Sequence, residues 1–554
     1  LTERLSLRSQ LIAGTAILFL LRALLSLFRT GPVLVADEAG YLTNARVIAG
    51  GIAGQLELAP FYRGGYSLLI APLIKVSNDP GVVYSLVLFL NTALAASIFP
   101  LLFVLLRRFL GVPSRPAVVA ALVGAIYPAV TVLSQVAMSE NALFPLVCVW
   151  LIACAGLLAA EKRRESMLWA AGLGASTGAL WAVHNRMIAA VAVAIALLIW
   201  LAVRRRVGVP ALAIAIGLLA AAAIGTHALD QYLLDQSYGG SASSELSSRL
   251  DDLVSFGGLR TTAANVVGQA WYLLVATFGL AAAAALDFLA RARRRAARDD
   301  WPSLPPIAIL LALTAALLVI SAAAFPERTR PDMLIYGRYT EIVAPPLVAI
   351  GIAVISRGPL LRSVRTPLLG FAILTGVVVL IRATSSDPDP ANRWNISALP
   401  FITVQLGPAI LIGAAAVAVI GALLLRACAE RAPGLLGGLA VALFLAVVAY
   451  GVWNPVRSSQ RAVYPGGWTS PREVAESESI GHVSYDLAHY DVIGLYVNQW
   501  FLPDTEVELF NGNRQPPGAR YVISGSSWNR EHPRTPGRPL WGEAGKNQVL
   551  WKLR

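Results

Sequence analysis

Cysteine is scarce in this chain: Cys148, Cys154 and Cys428 are the three in 554 residues. All lie within or at the ends of apolar runs, a placement that gives neither a disulfide framework nor a zinc site. Charge is scarce too, at 14% of residues against 56% hydrophobic. With a mean hydropathy of +0.63, this excludes a soluble globule. A large soluble helical protein would need helices with one polar face, and segments such as VAVAIALLIWLAV, residues 191–203, have none. There is no clear internal repeat. The N-terminal apolar run lacks an obvious small-residue cleavage site, so it is expected to be a retained first helix, not a removed signal peptide.

What is present is a series of apolar runs of bilayer-spanning length. About 13 such segments are expected, centred near residues 20, 95, 124, 150, 175, 195, 218, 275, 315, 348, 374, 415 and 443. The net charge of +13 does not indicate nucleic-acid binding, because the basic residues sit in short clusters between apolar runs. With the N-terminus placed in the cytoplasm, every inner loop is basic. They hold Arg107–Arg108, Lys162–Arg163–Arg164, Arg204–Arg205–Arg206, RARRRAAR from Arg291 to Arg298, Arg357–Arg362–Arg365, and Arg426 with Arg431. An odd number of spans leaves the C-terminus outside.

The outer side then receives a loop from Gly31 to Asp79, a polar loop from Leu229 to Thr262, and a tail from Asn454 to Arg554. In the first loop GYLTNARVIAGG spaces Tyr41, Leu42, Ala45 and Ile48 for one helical face that would lie along the membrane surface. FYRGGYSLLIAPLIKV, with Arg63, reads as a second interfacial or re-entrant segment. In the tail HVSYDLA, TEVELF, ARYVISG and NQVLWKLR read as short strands, with HYDVIGLYVNQWF as a helix. A small extracytoplasmic α/β domain is expected over 454–554, after a membrane domain over 1–453. It has no glycine-rich phosphate fingerprint, and reads as an acceptor-binding or packing module.

Charged residues collect at the outer turns. Asp37 and Glu38 follow the first helix, Ser139 and Glu140 sit in QVAMSENALFPL, and His184, Asn185 and Arg186 sit in WAVHNRMI. ERTRPDMLIYGRYTEIVAPPL supplies Glu327, Arg328, Arg330, Asp332, Arg338, Tyr339 and Glu341. Any one of these reads equally as a solvated helix end. The set suits one chemistry, in which a carboxylate deprotonates an acceptor hydroxyl while arginines neutralise a phosphate leaving group.

The order of motifs resembles the GT-C glycosyltransferases over residues 10–425. The matching features are an acidic pair in the first outer loop, a juxtamembrane helix after it, Ser–Glu at the next outer turn, and Gly-Arg-Tyr before a proline-containing helix. The protein O-mannosyltransferase and lipid A aminoarabinose transferase branch is the most similar. The Ala- and Arg-rich composition points to a GC-rich bacterial genome, and the resemblance implies an all-α polytopic membrane protein of the cytoplasmic membrane. It implies inverting transfer of a sugar from a polyprenyl-phosphate donor to an acceptor hydroxyl on the outer face. By the same resemblance Asp37 is the general base, Glu38 orients the acceptor or the neighbours of Asp37, and Glu140 is a second carboxylate. Arg338, with Arg328 or Arg186, holds the donor phosphate, and Tyr339 bonds phosphate or sugar. His184 departs from the family's arginine–proline turn and either binds phosphate or caps a helix. The sugar expected from resemblance is mannose, with arabinose types next. The acceptor stays open among protein, glycan, lipid and peptide natural product. A divalent ion could bridge Asp37 and Glu140 to the phosphate, but the supply of arginines favours action without metal. A transporter or lipid-linked-sugar flippase is the alternative, and a non-catalytic assembly factor a third reading. Transport sites usually lie near the midplane between repeats, whereas these acids gather at one face.

Overall fold

The computed structural model describes residues 2–27, 29, 31–239, 255–296, 305–357, 365–387, 389–399, 401, 406–464, 469–488, 492–511, 518–543 and 548–553. Arg298, Arg362 and residues 240–254 of the polar loop lie outside them.

Among the described residues nine helices are long and apolar enough to cross a membrane, from Ser6–Ser26 to Pro433–Val463. Such helices close their own backbone hydrogen bonds, which is what a water-free surrounding requires. Thirteen spans were expected, and the differences have local causes. The segment near residue 275 is two helices, Phe256–Ala276 and Leu280–Arg293, meeting at 104°. Phe278 and Gly279 both take positive φ at the break. Ser114–Ala125 and Glu341–Ile355 are too short to span by themselves, the first stopping at Tyr127–Pro128 because proline has no N–H to continue the helix. Arg163–Val183 has the length but is diluted by glycine, serine and threonine. The polar loop is shorter than expected, since one helix runs on to Ser237 and the next begins at Phe256, capped by Ser255 Oγ accepting from the Gly258 N–H at 2.9 Å.

Two short helices lie between the first two spans, Val35–Ile48 and Gly64–Ile74. The first was expected to lie on a surface. Instead its residues from Glu38 to Val47 are all buried. It is covered from two sides, by the Gly64–Ile74 helix and by the helix Val492–Phe501 from the far end of the chain. Arg46 donates to the carbonyls of Gln499 at 2.9 Å and Trp500 at 3.2 Å, so a cation meets the negative end of that helix.

That covering helix belongs to a C-terminal five-stranded sheet. Its strands are β1 (His482–Asp486), β2 (Glu506–Phe510), β3 (Tyr521–Gly525), β4 (Gly537–Glu543) and β5 (Gln548–Leu553), in the order β2-β1-β3-β5-β4. β1 pairs in parallel with β2 and β3, whereas β5 runs antiparallel to β3 and β4. Four strands match the runs read from sequence. β4, GRPLWGE, was missed because Pro539 and two glycines weaken its strand signal. An edge position and an irregularity between Pro539 and Trp541 accommodate the proline.

Candidate active site

Asp37 and Glu38 open the Val35–Ile48 helix. Successive residues on a helix point about 100° apart, so the two carboxylates part company. Glu38 turns inward and is fully buried. Its Oε1 accepts from the N–H groups of Val33 and Leu34, each at 2.7 Å. Its Oε2 accepts from Tyr84 Oη and from the Ala137 N–H, each at 2.6 Å. Burial pushes the Glu38 carboxyl up, and the four donors pull it back. Glu38 thereby ties its own helix start to the Pro80–Val104 helix and to the turn before Glu140.

Asp37 turns the other way, with 23% of its side chain exposed. Its Oδ1 accepts from Tyr62 Oη at 2.6 Å and its Oδ2 from Arg338 Nη1 at 2.5 Å. The same guanidinium donates from Nε to Glu140 Oε1 at 2.8 Å. Arg186 Nη2 reaches that oxygen as well, at 2.9 Å. Ser139, next to Glu140, accepts from Tyr41 Oη at 2.8 Å and reaches Glu140 Oε2 at 3.4 Å. Four sequence-distant segments thus meet in one chain of contacts, Tyr62–Asp37–Arg338–Glu140–Arg186. Two acids so close would repel in a poorly solvated site, and the guanidinium between them removes that cost. Glu140 and Asp37 also outweigh the effect of burial on Arg338 and hold its pKa above the usual arginine value.

Arg186 is the least satisfied member. Its guanidinium stacks over Tyr339 at 4.3 Å, and its backbone N–H donates to His184 Nδ1 at 3.2 Å. The His184 ring meets Tyr339 edge-on, centroids 5.4 Å apart. Arg186 Nε and Nη1 are buried with no partner among the described residues. Unpaired buried donors are costly and usually mark a place for water or a ligand.

The position of Arg338 is set from behind. The N–H groups of Gly337 and Arg338 both donate to the Asn395 carbonyl, at 2.8 and 3.0 Å. Asp332 holds Asn395 Nδ2 at 2.7 Å and the Asn392 N–H at 2.9 Å. Glu341 accepts from Tyr272 Oη, from Ser397 Oγ at 2.7 Å and from the Ala398 N–H at 2.9 Å. Asp332 and Glu341 therefore brace the 392–398 segment against Arg338. Gly337 lies flat on the Tyr272 ring, and a Cβ there would overlap it. Gly337→Ala is expected to destabilise by about 1–3 kcal/mol, as overpacking does, and to lower activity by shifting Arg338. Thermal unfolding of the purified variant checks this; an unchanged midpoint would mean that the ring yields freely.

Other residues singled out in the sequence lie apart. Arg328 donates to Ser385 Oγ at 2.8 Å and sits 4.0 Å from Asp387, which also faces Arg382. Arg63 pairs with Asp230 at 3.0 Å, donates to the Trp181 carbonyl at 2.6 Å, and stacks on the Trp181 ring. Tyr41, Tyr62 and Asn395 were missed. Tyrosine is common in any interfacial stretch, and nothing in FYRGG marks which of its members touches Asp37. A metal bridging Asp37 and Glu140 fits poorly, because the Arg338 guanidinium already fills the space between the two carboxylates. Among the described residues no cluster of three or more His, Cys, Asp or Glu residues could hold an ion.

No protein-family model and no curated protein matches this sequence. Solved structures do. The apo structure of ArnT from Cupriavidus metallidurans superposes with a TM-score of 0.56 at 13% identity, over 98% of this chain and 97% of that one. The structure of the same protein bound to undecaprenyl phosphate gives 0.55, at the same identity and coverage. The chain thus shares the fold of that structure along almost its whole length, a multi-pass helical membrane architecture with a small C-terminal sheet.

Proposed function

We propose that this protein is an inverting glycosyltransferase that moves a sugar from a polyprenyl-phosphate donor to an acceptor hydroxyl on the extracytoplasmic face of the membrane. The carrying observation is a partly exposed carboxylate, Asp37, joined through Arg338 and Glu140 to a second buried arginine, Arg186, whose Nε and Nη1 have no partner among the described residues. Mannose is the first sugar to test. The ArnT structure that holds undecaprenyl phosphate shares the fold, which supports a lipid-phosphate donor here.

The chemistry follows from charge. The acceptor oxygen attacks the anomeric carbon on the face opposite the phosphate, and the carbon–phosphate-oxygen bond breaks. The phosphate leaves with the bonding electrons, so negative charge grows on it. Arg186 Nε and Nη1 are the donors without a protein partner, and with Arg338 and Tyr339 they are the groups to receive that charge. Preorganised donors act most strongly where water is excluded. Asp37 takes the acceptor proton. Glu140 holds both arginines at the required spacing, and Glu38 fixes the helix that carries Asp37. His184 sets the turn of Arg186.

The C-terminal unit, 454–554, covers the Asp37 helix through Val492–Phe501, which supports a packing or acceptor-guiding role. A flippase is less well supported, since it needs no proton acceptor beside the arginine pair. Incubation of the purified protein with a panel of polyprenyl-phosphate sugars tests the reading. One donor should be consumed, with inversion at the anomeric carbon of the product. Consumption of none by folded protein, or retention of configuration, overturns it.

A further inference from the structure

The residue that addresses Asp37 from the side opposite Arg338 is Tyr62. Its hydroxyl donates to Asp37 Oδ1 at 2.6 Å, while Arg338 takes Oδ2. The two oxygens of the carboxylate are thus held from two sides.

The tyrosine is itself held firmly. Its N–H donates to Tyr238 Oη at 3.4 Å, and its carbonyl accepts from Asn44 Nδ2 at 2.9 Å. Its ring lies 5.1 Å from that of Tyr41 and against Gly40, where a Cβ would run into it. The next residue, Arg63, is anchored on Asp230, which also accepts from the Gly64 N–H at 3.1 Å. Such restraint is more than packing needs, for Tyr62 is 8% exposed and sits in a loop between two short helices.

We infer that Tyr62 is a positioning residue for proton transfer, fixing the orientation of the Asp37 carboxylate towards the acceptor hydroxyl. The inference rests on Asp37 being the base. The groups facing the pair are Arg338 and Tyr336 from the 336–340 segment and Tyr41 from the Asp37 helix. Burial first, and then Asp37 itself, push the Tyr62 phenol upward, so it stays protonated and donates throughout the working range.

The test is Tyr62→Phe, with turnover measured on the donor found in the panel. kcat should fall about tenfold as orientation is lost, with KM for the donor unchanged. Gly40→Ala keeps the phenol but displaces its ring, and should split kcat from KM in the same way. Thermal unfolding of both variants separates this from loss of fold, which would lower the folded fraction in step with the rate. A wild-type kcat in folded Tyr62→Phe, with Asp37→Asn inactive, overturns the inference and leaves the base intact. An active Asp37→Asn overturns both.

Discussion

Asp37→Asn should abolish sugar transfer and leave the protein folded. The change is isosteric and keeps an oxygen that can accept from Tyr62 or Arg338. What it removes is the charge and the basicity. General-base catalysis is worth roughly 10²–10⁴ in rate, and the variant should lose that much in kcat. The fold should survive because Asp37 is at the edge of the site, with Glu140 still holding Arg338 and Arg186. Turnover on the donor identified in the panel, alongside a size-exclusion profile in detergent, measures both halves. Retained turnover would sink the base assignment. The comparison with Glu38→Gln is informative. Glu38 accepts from two backbone N–H groups at the helix start, so that variant should lower stability before it touches the chemistry.

Arg338→Ala should cost both stability and rate. The guanidinium is 8% exposed and joins two carboxylates. Removing one partner of a buried ion pair destabilises by about 3–5 kcal/mol, because the charge left behind is uncompensated. Arg186 still neutralises part of Glu140, which places the expected loss near the low end. Loss of a preorganised donor to the leaving group should cost a further ~10²–10³ in kcat. Donor use should suffer more than acceptor affinity. Arg338→Lys separates the two effects, since lysine keeps the charge but cannot reach Asp37 and Glu140 with one planar fork. If acceptor affinity alone changed in these variants, the phosphate role would be wrong.

Several features were legible before any fold was known. Apolar runs of bilayer length announce the membrane helices, because a backbone in lipid must bond to itself and its side chains must be apolar. The sheet was readable in four of five strands, where valine, tyrosine and phenylalanine alternate with polar residues. The edge strand β4 was not, since Pro539 and Gly542 weaken its signal and are tolerated at an edge. The bend between Ala276 and Leu280 was hidden inside a continuous apolar stretch, where hydropathy carries no information about direction. The burial of the Val35–Ile48 helix was hidden for another reason. Part of its cover comes from Val492–Phe501, and no local pattern reports a contact so distant in the chain.

The acids and arginines of the site show the division most clearly. Sequence alone determined that Asp37, Glu38, Glu140, Arg186 and Arg338 stand at the ends of apolar runs, because charge is excluded from the runs themselves. It could not separate Asp37 from Glu38, or Arg338 from Arg328, since neighbours in sequence carry the same composition signal. The tertiary structure decided both. One step along a helix turns a side chain by about 100°, which sends Glu38 into Tyr84 and Ala137 and leaves Asp37 facing Arg338. The brace of Asn395, Asp332 and Glu341 then aims Arg338 at both carboxylates, while Arg328 is held by Ser385 and Asp387. Direction is a property of the assembled fold, set by which distant backbone and side-chain partners each group finds.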